Sequence, residues 1–107
     1  MHEISIYRTS ANHEPYTEWE SSLDRQVRTR IDARLTRIRL TGNLGDFKSV
    51  GDGVYELRLD FGPGYRVYFG FDKTKNKMII LLVGGSKRTQ VKDIVKAKKY
   101  WQDYVSH

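Results

Sequence analysis

The sequence predicts an α+β fold: an antiparallel or mixed sheet of four to five strands packed against helices on one face, in the order βααβββα. Three observations carry this. Residues 23–38 repeat apolar side chains every three or four positions, residues 54–71 alternate apolar with polar around Gly62-Pro63-Gly64, and Met78 to Val83 is an unbroken apolar run of strand length. With 107 residues and 38% hydrophobic residues there is enough for one modest core, so residues 1–107 are read as a single domain.

In chain order, Ile4 and Ile6 alternate with Ser5 and Tyr7, which predicts a short first strand. Asn12 or Glu14 before Pro15 then starts a short helix through Trp19, because a first turn tolerates proline's missing N–H. Ser22 or Asp24 caps a longer helix whose Leu23, Val27, Ile31, Leu35 and Ile38 form one stripe, and Gly42 ends it. Arg25, Arg28, Arg30, Arg34, Arg37 and Arg39 fall largely off that stripe and read as a solvated helix face.

From Val54 the period becomes two. Tyr55, Leu57, Leu59 and Phe61 point one way and Glu56, Arg58 and Asp60 the other; after the turn, Tyr65, Val67, Phe69 and Phe71 alternate with Arg66, Tyr68 and Gly70. A three-residue loop would set Phe61 opposite Tyr65, Leu59 opposite Val67, Asp60 opposite Arg66 and Arg58 opposite Tyr68. Arg58 and Arg66 would then share one exposed face. Met78 to Val83, apolar on both faces, suits a central strand closed by Gly84-Gly85, and Val91, Ile94, Ala97 and Trp101 give a final amphipathic helix.

Composition removes several classes of chemistry. Without cysteine there is no disulfide, thiolate nucleophile or Cys-based metal site, and no apolar run approaches the roughly 20 residues of a membrane-spanning helix. The start, Met1-His2-Glu3-Ile4, lacks the basic and apolar pattern of a secretory leader, so a cytoplasmic location is expected. The formal charge of +6 is uneven: residues 22–41 hold six arginines against Asp24 and Asp32, and residues 86–104 hold six Lys/Arg against Asp93 and Asp103. Such an excess favours polyanionic partners.

The sheet face carrying Arg58, Arg66 and Tyr68, beside Ser86-Lys87-Arg88 at the end of the apolar strand, is the candidate site. Arginine forks suit phosphate oxygens and a tyrosine ring can stack on a base, so single-stranded nucleic acid is the expected ligand for Arg58, Arg66, Tyr68, Lys87 and Arg88. The bland alternative is that Asp60 and Glu56 pair with the arginines across a solvated sheet, where such contacts are worth about 0–1 kcal/mol. His2, His13 and His107 lie near the termini, and there is no HExxH motif, Cys/His cluster or glycine-rich phosphate loop, so chemistry here is expected to use no metal or cofactor. Arg58 and Arg66 would clamp a scissile phosphate, and proton transfer would fall to Lys87, Asp93 or Tyr68.

The run from Gly53 to Phe69, GVYELRLDFGPGYRVYF, resembles the signature of the HigB-like, phage Gp49-related branch of the RelE/ParE toxin superfamily. Leu81-Leu82-Val83-Gly84-Gly85-Ser86-Lys87, followed by Asp93-Ile94, Ala97-Lys98 and Tyr100-Trp101, is similar to that branch's ending. The resemblance implies a RelE-type fold, the toxin role of a bacterial type II toxin–antitoxin pair, and, as in RelE and HigB members, cleavage of mRNA on the ribosome. By the same resemblance Arg58 matches a strand residue that contacts RNA, Arg66 the arginine that holds the scissile phosphate, and Lys87 a basic residue after the last strand. Asp93 falls near a position that supplies an acid or base in some members. Where RelE proper has a further lysine this chain has Glu56, so the acid/base role stays open between Glu56, Lys87, Asp93 and Tyr68. A helix-turn-helix antitoxin is the implied partner, contacted by Trp101 and Tyr104 unless Trp101 simply packs the last helix on the sheet. Alternatives within the superfamily are a ParE-like gyrase inhibitor and a non-catalytic RNA- or antitoxin-binding member.

Overall fold

Pro15 opens the first helix and Gly42 closes the second for the same physical reason, the peptide groups that helix ends leave without partners. Proline brings no N–H to satisfy in the first turn. Gly42 donates its N–H to the Ile38 carbonyl at 2.8 Å, and its left-handed φ of 78° then turns the chain out of the helix. The computed structural model describes residues 2–107. Its elements are β1 (Ile4–Ile6), α1 (Pro15–Ser21), α2 (Arg25–Thr41), β2 (Phe47–Gly51), β3 (Val54–Leu59), β4 (Tyr65–Asp72), β5 (Met78–Ser86) and α3 (Gln90–Val105). Short 3-10 turns, Lys73–Lys75 and Lys87–Thr89, precede β5 and α3.

The strands form one mixed sheet in the order β1-β5-β4-β3-β2, antiparallel throughout except where β1 runs beside β5. This is the expected α+β class with the upper number of strands. The strand absent from the predicted order is β2, whose side chains are mostly exposed and which turns into β3 through Gly51, Asp52 and Gly53, all at positive φ. A half-solvated edge strand of five residues carries little apolar alternation to read.

Helices cover both faces of the sheet, which corrects the expectation of one. Leu57, Leu59, Val67, Phe69, Ile79 and Leu81 lie under Tyr16 of α1 and Ile31 and Ile38 of α2. Val54, Tyr68, Ile80 and Leu82 point the other way, under Ala97 and Trp101 of α3. Two strand glycines permit this close layering. A Cβ on Gly84 would collide with the Trp19 ring, and one on Gly70 would sit 2.5 Å from the ring of Trp101. Val91 was expected on the buried stripe of α3 but is 81% exposed, because that helix packs through Asp93, Ile94, Ala97, Tyr100, Trp101 and Tyr104.

The central hairpin is also corrected. Leu59 pairs with Tyr65, Leu57 with Val67, Glu56 with Tyr68, and Arg58 directly with Arg66. The connection spans residues 60–64 instead of three, and Asp60 and Phe61 leave the ladder. Phe61 packs on Tyr65 at 5.3 Å, and the Arg30 guanidinium sits 3.8 Å above its ring, so the aromatic gains more from the loop than from a ladder position. The offset between predicted and observed register is two residues. An even offset preserves which face each side chain occupies, so Arg58, Arg66 and Tyr68 do share a face.

Candidate nucleic-acid interface

Strand pleating sends Glu56 and Arg58 of β3 and Arg66 and Tyr68 of β4 toward α3, near the end of the sheet where that helix begins. Because Arg58 and Arg66 are direct cross-strand partners, their like charges repel unless something lies between them. Glu56 supplies it. Its Oε1 is 3.4 Å from Arg58 Nε and 3.6 Å from Arg66 Nε, near enough for strong attraction although neither contact has hydrogen-bond geometry. Its Oε2 accepts a hydrogen bond from Gln90 Nε2 at 2.6 Å and a longer one from the Tyr68 hydroxyl at 3.4 Å. The Glu56 side chain has 0% exposure.

The arginines differ in access. Arg58 keeps 31% of its side chain in solvent and has Asp46 Oδ1 at 3.9 Å, while Arg66 keeps only 9% and donates from Nη1 to the Tyr65 carbonyl at 3.2 Å. The face is therefore largely covered beside α3, not an open sheet. Tyr68 is fully buried and cannot stack on a base, which corrects its expected role. Burial, with Glu56 and Asp93 close by, raises its hydroxyl well above the usual tyrosine range and keeps it protonated.

Lys87 and Arg88 are exposed and pair with no carboxylate among the described residues. The Lys87 N–H donates to the Gly64 carbonyl at 2.7 Å, which ties the hairpin loop to the end of β5. Gly64, at φ 75°, has Lys87 Cβ and Arg66 Nη1 on either side: a Cβ there would lie 3.4 and 3.5 Å from them. The structure thus brings Arg58, Arg66 and Lys87 to one rim. Asp93 lies beneath it, buried, its carboxylate over Gly85 and accepting from the Thr89 hydroxyl. A bare glycine opposite Arg66 is what makes room for it.

Three contributors escaped sequence reasoning. Gln90 carried no motif. Thr89 binds both the Ser86 N–H at 3.2 Å and Asp93, and its spacing of three from Ser86 and four to Asp93 was the available signal. Arg34 was read as part of a solvated face. It instead turns inward and donates to the carbonyls of Arg58 and Leu44, both at 2.9 Å, and of Asp46 at 3.2 Å, holding the loop that brings Asp46 to Arg58. Desolvation and the neighbouring Arg37 lower its pKa below the usual arginine value.

A groove crosses the end of β5 next to this rim, with Trp19 and Tyr65 on one wall and Lys92 and Lys96 on the other. A separate cavity of about 870 Å³ lies at the far end of α3, among Tyr55, Phe71, Trp101 and Tyr104. Trp101 packs over Gly70, as its packing alternative had it, and Tyr104 donates to Asp72.

The arrangement of two facing strand arginines with a basic turn beside them coincides with the part of the chain that comparison recognises. Residues 18–102 match the family described as Phage derived protein Gp49-like (DUF891). The chain belongs to that family. The Gp49-like family is a RelE/HigB-like toxin family, so the resemblance drawn from residues 53–69 holds and the protein is toxin-like. The chain is 47% identical over 90 residues to an uncharacterized protein of Haemophilus influenzae, covering 82% of this chain and 87% of that one. No solved structure matches it. No helix among the described residues is long and apolar enough to cross a membrane.

Proposed function

We propose that this Gp49-like protein is the toxin of a type II toxin–antitoxin pair and an endoribonuclease that cuts mRNA on the ribosome. The observation that carries this reading is the direct cross-strand pairing of Arg58 with Arg66, beside the exposed turn that bears Lys87 and Arg88: guanidinium and ammonium groups gathered at one rim suit the oxygens of a phosphodiester. Arg58 and Arg66 hold the scissile phosphate in line with the 2′-hydroxyl. That hydroxyl attacks phosphorus, the O2′–P bond forms, the P–O5′ bond breaks, and a 2′,3′-cyclic phosphate results. The arginines offset the extra negative charge of the transition state, the term that weighs most in such chemistry. Among Glu56, Tyr68, Asp93 and Lys87, only Lys87 reaches solvent, and we assign it the proton delivered to the departing 5′ oxygen. The proton of the 2′-hydroxyl passes to water. The cognate antitoxin, which a toxin family implies, would be expected to cover this basic rim.

Purified protein incubated with translating ribosomes and mRNA tests the proposal. Wild type is expected to cleave, and Arg66→Ala to lose about 10²–10³-fold in rate. Intact mRNA together with blocked supercoiling by DNA gyrase would overturn the nuclease reading in favour of a ParE-like one.

A further inference from the structure

Glu56 is the residue least expected where it stands. A carboxylate with no exposure is unfavourable unless charge and hydrogen bonds surround it, and the fold alone would be served by an apolar side chain such as its buried neighbour Leu57. Its two oxygens face different parts of the molecule, Oε1 through charge attraction alone and Oε2 through hydrogen bonds. Oε1 faces the Nε atoms of Arg58 and Arg66, and Oε2 accepts from Gln90, the first residue of α3, which directly follows the turn bearing Lys87 and Arg88. The Nε edges of both guanidinium groups are thereby turned inward to the carboxylate.

We infer that Glu56 is a positioning residue for RNA: its buried carboxylate holds the Arg58–Arg66 pair convergent and docks the start of α3, so that Lys87 stands beside them. It touches no substrate and accepts no substrate proton. A general base must come within about 2.6–3.2 Å of the hydroxyl it deprotonates. Glu56 lies beneath the arginines with no exposure, Oε1 against their Nε atoms and Oε2 hydrogen-bonded to Gln90, out of reach of a substrate hydroxyl. The other ionisable groups around it are Tyr68 on β4 and Asp93 on α3, with Asp46 reaching Arg58 from the loop before β2. The inference rests on the proposed RNA-cleaving function and adds to it the element that shapes the clamp.

Two readouts on the purified full chain test it: low-salt binding of a short single-stranded RNA made uncleavable by a 2′-deoxy nucleotide, and ribosome-dependent cleavage across pH. Glu56→Gln is expected to weaken RNA binding about tenfold and to raise KM, with the pH profile of cleavage unshifted. In an Arg58→Ala background the same change is expected to cost less than about twofold, because one of the two groups it organises is gone. Gln90→Ala, which leaves every charge in place, is expected to weaken binding about threefold, and it decides the matter if Glu56→Gln does not fold. Three results would overturn the inference: normal RNA binding by Glu56→Gln with cleavage abolished and the acid limb of its pH profile gone, an undiminished effect of Glu56→Gln in the Arg58→Ala background, or no effect of Gln90→Ala. Absence of cleavage by wild type with the Glu56–Arg58 coupling intact would count against the nuclease alone. Absence of any RNA binding by wild type would remove both.

Discussion

The two faces of the sheet are buried to a similar degree but built from different chemistry. Under α1 and α2 the strands present Leu57, Leu59, Val67, Phe69, Ile79 and Leu81, an apolar layer with Tyr55 and Tyr65 packed at its margin. Under α3 only the half nearer the helix C-terminus is apolar, around Val54, Ile80, Leu82 and Trp101; the other half holds Glu56, Arg58, Arg66 and Asp93. Apolar burial stabilises at about 25 cal/mol per Å², whereas a buried ion cluster often does no better than an apolar substitute. The difference teaches that one face maintains the fold and the other accepts a poorer interior in order to hold charges at its rim.

The comparison can be sharpened by variants on each side. The largest stability effect is expected on the apolar face: Ile38→Ala, at a site 1% exposed, should lower unfolding free energy by about 2–5 kcal/mol in a denaturant titration, with RNA cleavage per folded molecule unchanged. A similar loss of specific activity would blur the division of labour. On the α3 face, Gly70→Ala drives a methyl into the Trp101 ring and should cost about 1–3 kcal/mol, read by thermal unfolding and by a change in tryptophan fluorescence. The smallest effect concerns Asp72, whose carboxyl is held below its usual pKa of 3.8 by hydrogen bonds from Thr74 and Tyr104. A lowered acid stabilises the fold above the ordinary value and loses that contribution as pH falls through the folded one. Asp72→Asn should therefore be less stable than wild type near neutrality, and the gap should close below about pH 4. Tyr104, pushed up to about 12 by burial and by Asp72, stays a donor throughout that range.

The faces also differ in how legible they were. Period-two alternation identified β1, β3 and β4, and three-to-four spacing α2 and α3, because burial on one side of an element imposes them; Pro15 marked α1 and an unbroken apolar run marked β5. Strand β5 carried a further signal. Met78 to Val83 is apolar on both sides, which requires cover on both faces of the sheet, and α3 provides the second. Register was less accessible. Nothing local says that Phe61 prefers Tyr65 and Arg30 to a ladder position, so the pairing of Arg58 with Arg66 emerged only in three dimensions. Strand alternation and the basic run after β5 marked Arg58, Arg66 and Lys87 as candidates, and the resemblance added the roles expected of them, whereas the burial of Tyr68 and the inward turns of Arg34 and Gln90 depend on contacts across 12 to 34 residues of sequence.

We propose that the rim of the α3 face, with its two facing arginines, carries the toxicity of this protein. Growth of bacteria after induced expression tests it most directly, alongside thermal unfolding of the purified variants. Wild type should arrest growth, and Arg58→Ala or Arg66→Ala should relieve the arrest while remaining folded. Undiminished toxicity in both folded variants would contradict the account and move the activity off this face.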